Sequence, residues 1–274
     1  MAEFFPNRDK TGLALFLNAG DPPLDVLADV VAMLDEEGVD CLELAVPFPD
    51  SVTDGPVIQR SARRALDRGV GLDQVLAFVA ENRPKLRRLR IALLADWSHT
   101  LKGRPLAATI ADIAASTVDG MLAHALPPRL REDYRQAARD AGLPLVTTCY
   151  HRVSSDVVLA DAAANAEAYL YLVAQYGRSG SAPAEGYAGL AETVTRLRTA
   201  TAAPIAVGFG VRTRADALAV RDCGADAVVV GSAVVAQVDD ALAQGEDVVA
   251  RLRDLVVSIT PSPTNSHLTA GSRP

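Results

Sequence analysis

Eight short apolar runs, each closed by a turn and each followed by an amphipathic segment, constrain this chain more than any other feature. The runs are 12–17, 39–46, 91–95, 119–124, 143–149, 168–173, 204–207 and 226–230. Between them, apolar residues recur about every 3.6 positions, as in Leu24, Leu27, Val30, Val31 and Leu34, or Ile58, Ala62 and Leu66, which predicts helices. Gly38 and Gly69 stand where the first two of these should stop. An additional helix is expected over 72–80, and two, over 234–243 and 246–259, should close the pattern. Strands alternating with helices imply a parallel sheet. With 274 residues and 49% hydrophobic content, a single (β/α)8 barrel of about 250 residues can be filled. An open doubly wound sheet satisfies the same alternation, but no G-x-G-x-x-G follows the first strand, so the usual dinucleotide signature is missing.

Charge and cysteine usage narrow the function. A formal charge of −7 argues against nucleic-acid binding, which needs a basic footprint for phosphates. No apolar run approaches the roughly 20 residues that cross a bilayer, and the N-terminus lacks the basic-then-apolar order of a signal peptide, so a cytoplasmic protein without membrane contact is expected. Cys41, Cys149 and Cys223 are odd in number, widely spaced and set in or beside apolar segments, as core thiols would be. The Pro/Ser/Thr-rich stretch 261–274 reads as a disordered tail behind one barrel domain, 1–260.

The chemistry concentrates between Leu42 and Pro56. Glu43 interrupts an apolar strand, where an unpaired charge is costly unless it faces a cavity or a partner, and it reads as a catalytic acid/base. Asp54 precedes Gly-Pro at a helix start, and spacing alone favours an N-cap. Two glycine turns, Gly208-Phe-Gly210 and Gly231-Ser232, follow the seventh and eighth strands, where backbone N–H groups and a helix N-terminus can hold a phosphate. The glycine-rich segment from Ala174 to Gly186, which includes Gly180, is the longest connection in the chain. Two rivals are weaker. A Schiff-base aldolase needs a strand lysine, and the only lysines, Lys10, Lys85 and Lys102, lie outside the strands. His99, His124 and His151 follow the third, fourth and fifth strands but form no close-spaced metal-ligand pair. The basic run from Arg83 to Arg90 precedes a strand, on the face of a barrel that serves stability, and reads as a solvated loop.

Taken together, Phe16-Leu-Asn-Ala-Gly-Asp-Pro22, Glu43-Leu-Ala-Val-Pro-Phe-Pro-Asp50, Asp54-Gly-Pro-Val-Ile-Gln59, Tyr169-Leu-Tyr-Leu172, Gly208-Phe-Gly210 and Gly231-Ser-Ala233 resemble the tryptophan synthase α subunit family in order and spacing. The resemblance implies a (β/α)8 TIM barrel and a metal-free, cofactor-free lyase. It would split indole-3-glycerol phosphate into indole and glyceraldehyde 3-phosphate, with a pyridoxal-phosphate-dependent β subunit as the usual recipient of the indole. By the same resemblance Glu43 would move protons at indole C3 and the glycerol hydroxyl, and Asp54 would hold the indole N–H. Tyr171 would sit beside the glycerol portion, Phe16 would line the indole pocket, and Gly180, Gly208, Gly210, Gly231 and Ser232 would bind substrate. Spacing alone would make Tyr171 a packed strand residue and Phe16 a core aromatic.

The departures from the family pattern are also specific. Ala45, Pro49 and Ser51 replace the usual Gly, Ser and Pro; Ala95 and Trp97 stand for Tyr and Asn; Ala125 stands for Asp; and Gln175-Tyr-Gly-Arg-Ser-Gly180 replaces Arg-x-Gly-Val-Thr-Gly. They fall on loops that the resemblance assigns to substrate closure and β-subunit contact. Retained lyase chemistry with altered coupling is therefore expected. A stand-alone indole-releasing lyase and a catalytically poor regulatory partner are the alternatives.

Overall fold

The computed structural model describes residues 3–6, 11–174, 187, 189–208 and 210–260. Gly180, the rest of the long glycine-rich connection over 175–186 and the stretch 261–274 lie outside the described residues. Eight strands, β1 (Gly12–Asn18), β2 (Cys41–Ala45), β3 (Arg90–Asp96), β4 (Gly120–His124), β5 (Val146–Tyr150), β6 (Tyr169–Val173), β7 (Ile205–Gly208) and β8 (Ala227–Val230), form one sheet in the order β4-β3-β2-β1-β8-β7-β6-β5. All pairs are parallel, and a bridge between Met121 and Leu145 brings the ends together into a barrel. Ten α-helices surround it among the described residues: α1 (Leu24–Glu36), α2 (Pro56–Asp67), α3 (Leu72–Asn82), α4 (Leu106–Ala115), α5 (Arg131–Ala141), α6 (Asp156–Ala164), α7 (Leu190–Arg198), α8 (Arg214–Asp222), α9 (Ser232–Gln244) and α10 (Val248–Ile259). The closed barrel, not the open sheet, is the outcome of the alternation. None of these helices is long and apolar enough to cross a membrane.

The period-two alternation of the strands divides the core. Leu13, Leu15 and Leu17 of β1 turn outward with Leu42, Leu44, Ile91 and Leu93 to meet the helices. Ala14, Cys41, Ala92, Val146, Ala206 and Ala227 turn inward, and their small size leaves room for Phe4 and Phe5, which enter from the N-terminal segment and plug the barrel floor. Both rings pack on Tyr169, with centroids 5.3 and 5.5 Å away. Gly12 is required there, because a Cβ would stand 2.5 Å from the Phe5 ring. Burying each phenylalanine contributes roughly 1.5–3 kcal/mol. The three cysteines are free and buried, and burial pushes Cys149 up to about 12, so they are inert core thiols.

The basic run before β3 is solvated in part: Lys85, Arg87 and Arg88 are exposed, while Arg83 and Arg90 are held in ion pairs. Arg83 clamps Asp119 through two bonds of 2.7 and 2.8 Å, and Arg90 joins the same carboxylate at 3.4 Å. Asp35 accepts the backbone N–H groups of Arg87, Arg88 and Leu89. Burial raises its pKa, but those three donors outweigh it and hold the carboxyl below its usual range.

Candidate active site

The C-terminal ends of the strands open onto one cavity, and Phe16, Glu43, Asp54, Tyr171, Gly210, Gly231 and Ser232 all line it. Glu43 sits at its inner end, on the interior face of β2 and directly beside Phe16 of β1 in the strand register. It is 1% exposed, and the Tyr169 hydroxyl donates a 2.7 Å bond to its Oε1. Burial pushes the carboxyl pKa up to about 7, while the tyrosine hydrogen bond pulls it down. Near neutral pH the group is thus able both to give and to accept a proton. Tyr169 was not among the residues singled out from sequence. The signal was present, because Tyr169 and Tyr171 are two apart on one strand and share the inward face.

Asp54 is not the helix cap that spacing favours. Gly55 is the N-cap of α2, no side chain caps that helix, and Asp54 lines the cavity instead. Its loop is pinned by Gln59, whose amide donates to the carbonyls of Ser51 at 2.6 Å and Asp54 at 3.1 Å. Asn18, buried at the end of β1, donates to Ser61 at 3.0 Å and to the Ile58 carbonyl, fixing the first turns of α2 against the barrel. Tyr171 faces the cavity as well, and burial followed by the nearby Glu43 charge raises its phenol well above the ordinary value, so it stays neutral.

The two late glycine turns differ in what they do. Gly208 ends β7 and is absent from the cavity lining; a Cβ there would stand 2.6 Å from a Tyr171 ring carbon, so its role is to seat that ring. Gly231 and Ser232 begin α9, which has neither a side-chain cap nor an acidic residue in its first turn. Helix α8 is the contrast: Thr213 and Asp216 form a capping box that occupies its N-terminal donors. The N–H groups of Ser232 and Ala233 at the start of α9 are engaged by no side-chain cap, so that end of the helix and its dipole can receive an anion.

The histidines do not converge on a metal site. His99 bonds to Asp96 at 2.8 Å, His151 bonds to Thr193 at 2.9 Å, and no three His, Cys, Asp or Glu side chains form a metal-binding group among the described residues. His99 and His124 instead stack on Phe48, with centroids 5.5 and 6.4 Å away. Lys85 pairs with Glu81 on the outer surface, and among the described residues no lysine lines the cavity.

A parallel barrel whose strand ends converge on one cavity, with a buried carboxyl group near neutrality and a helix N-terminus without a side-chain cap both lining it, defines a (β/α)8-barrel enzyme for an anionic substrate. A family model described as tryptophan synthase alpha chain matches residues 5–261. A tryptophan synthase alpha chain of Rippkaea orientalis is 37% identical over 230 residues, covering 83% of this chain and 85% of the relative. One of Synechococcus elongatus is 34% identical over 261 residues, covering 95% and 96%. Among solved structures, the tryptophan synthase subunit alpha of Legionella pneumophila superposes with a TM-score of 0.81 at 25% identity, covering 92% of each chain. A mutant α-subunit of Pyrococcus furiosus gives 0.80 at 28%, covering 91% of this chain and 98% of that one. The chain belongs to the tryptophan synthase alpha chain family, lyases of tryptophan biosynthesis that cleave indole-3-glycerol phosphate and partner with a β subunit.

Proposed function

We propose that this chain cleaves indole-3-glycerol phosphate with Glu43 as the single proton carrier. The observation that carries the reading is the buried Glu43 carboxyl, poised at about 7 and oriented by the Tyr169 hydroxyl. Protonated Glu43 delivers its proton to indole C3, giving an indoleninium whose nitrogen is positive. Asp54 accepts a hydrogen bond from that N–H and offsets the charge. The resulting Glu43 carboxylate then takes the proton of the glycerol hydroxyl next to C3. The O–H pair becomes the aldehyde C=O, the C–C bond breaks, and its electrons restore neutral indole. Glu43 ends protonated, so no co-reactant is consumed. The phosphate rests on the N–H groups of Ser232 and Ala233 at the start of α9, with Gly210 and Gly231 shaping the turns around it. Tyr171 packs beside the glycerol portion, Phe16 beside the indole, and Gly180 is assigned to the substrate site by sequence resemblance alone.

Coupling to a β subunit is altered in this reading. The loop after β2 exposes Val52 almost fully, and Ala125, where the family pattern has an acceptor carboxylate, sits at φ +55 directly after the cavity-lining His124. The test is indole release from indole-3-glycerol phosphate by the purified chain, with and without a β subunit. Release by the wild type and its loss in Glu43→Gln is the expected result; undiminished release by that variant refutes the mechanism.

A further inference from the structure

One wall of the cavity carries more polarity than an unsubstituted indole can use. The ring system offers a single polar atom, N1–H, which the reading above gives to Asp54. Phe16, Leu94 and Leu122 supply an apolar surface for the rest. Yet β3 and β4 end in Asp96 and His124, which are partners in the strand register and both line the cavity. Thr148 of β5 lies next along the same wall.

Each of these three groups has unused capacity. Asp96 is 4% exposed, and its Oδ1 accepts both the backbone N–H and the Nδ1 of His99, at 2.9 and 2.8 Å. Among the described residues nothing bonds to its Oδ2. The capping of the turn at Trp97–Leu101 accounts for Oδ1 only. His124 stacks on Phe48 and hydrogen-bonds to nothing among the described residues. The Thr148 hydroxyl is shut away from solvent with no partner among the described residues. An apolar ring pressed against this wall would strip water from a carboxylate oxygen and return nothing.

The topology sets which end of the substrate reaches the wall. In the order of the eight strands, β3 and β4 lie three and four places from β8, so Asp96 and His124 stand on the far side of the cavity from the N-terminus of α9. A substrate anchored there by its phosphate, with its reacting carbon at Glu43, directs its benzo ring toward β3, β4 and β5.

We propose that the preferred substrate of this chain carries a hydrogen-bond donor, a hydroxyl or an amino group, on the benzo ring of indole-3-glycerol phosphate, received by Asp96 with His124 and Thr148 alongside. The inference rests on the lyase reading above. A carboxylate acceptor selects a donor over an ether or a halogen. A site built to hydrogen-bond a ring substituent discriminates strongly against the analogue that lacks it, because its own polar groups are then left unpaired.

The experiment uses the full chain and indole-3-glycerol phosphates bearing hydrogen, hydroxyl, amino or methoxy at each benzo carbon in turn. The expected result is a kcat/KM at least about tenfold higher for a hydroxyl or amino substrate than for the unsubstituted one, with the methoxy counterpart losing the advantage. Whether hydroxyl or amino leads identifies the substituent. Asp96→Asn keeps an oxygen for His99 but offers the cavity an amide, and the ratio of substituted to unsubstituted kcat/KM should fall toward one. Equal or better turnover of the unsubstituted substrate overturns the proposal while leaving the lyase reading intact, as does an unchanged ratio in Asp96→Asn. Absence of an indole product from every substrate overturns the lyase reading itself, and this inference with it.

Discussion

Replacing Glu43 with glutamine should sharply lower catalysis and stabilise the fold, and the stability gain should depend on pH in a defined way. The carboxyl is raised from its ordinary 4.5 to about 7 by burial, a rise of about 2.5 pH units, and at about 1.36 kcal/mol per unit this amounts to about 3 kcal/mol. The sign follows from proton linkage. Below pH 4.5 the group is protonated in both folded and unfolded chains and costs nothing. Between 4.5 and about 7 the unfolded chain ionises while the native one keeps its proton, so stability is lost as pH rises. Above about 7 the native state carries an ionised, buried carboxylate, and the whole amount is gone. The glutamine of the variant stays neutral throughout and still offers Tyr169 an oxygen. Urea unfolding of both proteins across this range should therefore show the variant's advantage growing by about 3 kcal/mol from about pH 4 to about pH 8, levelling off above about pH 7. Indole release should fall by about 10²- to 10⁴-fold. An advantage of equal size at both ends of the range would mean that Glu43 does not titrate near neutrality, and its role as a carrier of both protons would fail.

Tyr169→Phe removes the donor that pulls Glu43 down; a hydrogen bond to a charged group contributes about 1.5–3 kcal/mol, so the alkaline limb of the kcat/KM profile should move up by about 1–2 pH units. Gly208→Ala sets a methyl against the Tyr171 ring, 2.6 Å from its nearest ring carbon in the native geometry, and overpacking of that kind should cost about 1–3 kcal/mol in thermal or urea unfolding and lower kcat/KM. Ser232→Asp should separate binding from stability. The added negative charge favours the N-terminus of α9 by about 0.3–1 kcal/mol, yet repels the substrate phosphate, so KM should rise several-fold while the unfolding midpoint holds or rises.

The parts of this molecule that were legible in its sequence are those with a local cause. Strand and helix order follow from a change of apolar period, and the expected stops at Gly38 and Gly69 lie just past the ends of α1 and α2. Glu43 was legible because a charge inside an apolar strand requires a reason. The plug formed by Phe4 and Phe5 was not, since its meaning lies in the small inward residues of distant strands. The solvated loop predicted at Arg83–Arg90 holds for Lys85, Arg87 and Arg88 but not for Arg83 and Arg90, whose partner Asp119 lies beyond a full strand and helix. Asp54 joins the two kinds of failure. Asp-Gly-Pro is a sound local signal for a helix start, and the helix does start at Pro56, but the side chain that local chemistry would bend back onto the helix turns into the cavity instead. Gly55 takes the cap position without supplying a side chain, and Gln59 holds the loop in place through backbone carbonyls. The first turn of α2 is thus left without a side-chain cap, which with glycine at the cap position costs only about a few tenths of a kcal/mol, and the carboxylate that could have supplied it faces the same cavity as Glu43. A helix start that forgoes its own side-chain cap and sets an acid in the same cavity as a buried acid is a local rule broken at the place where the proposed chemistry requires it.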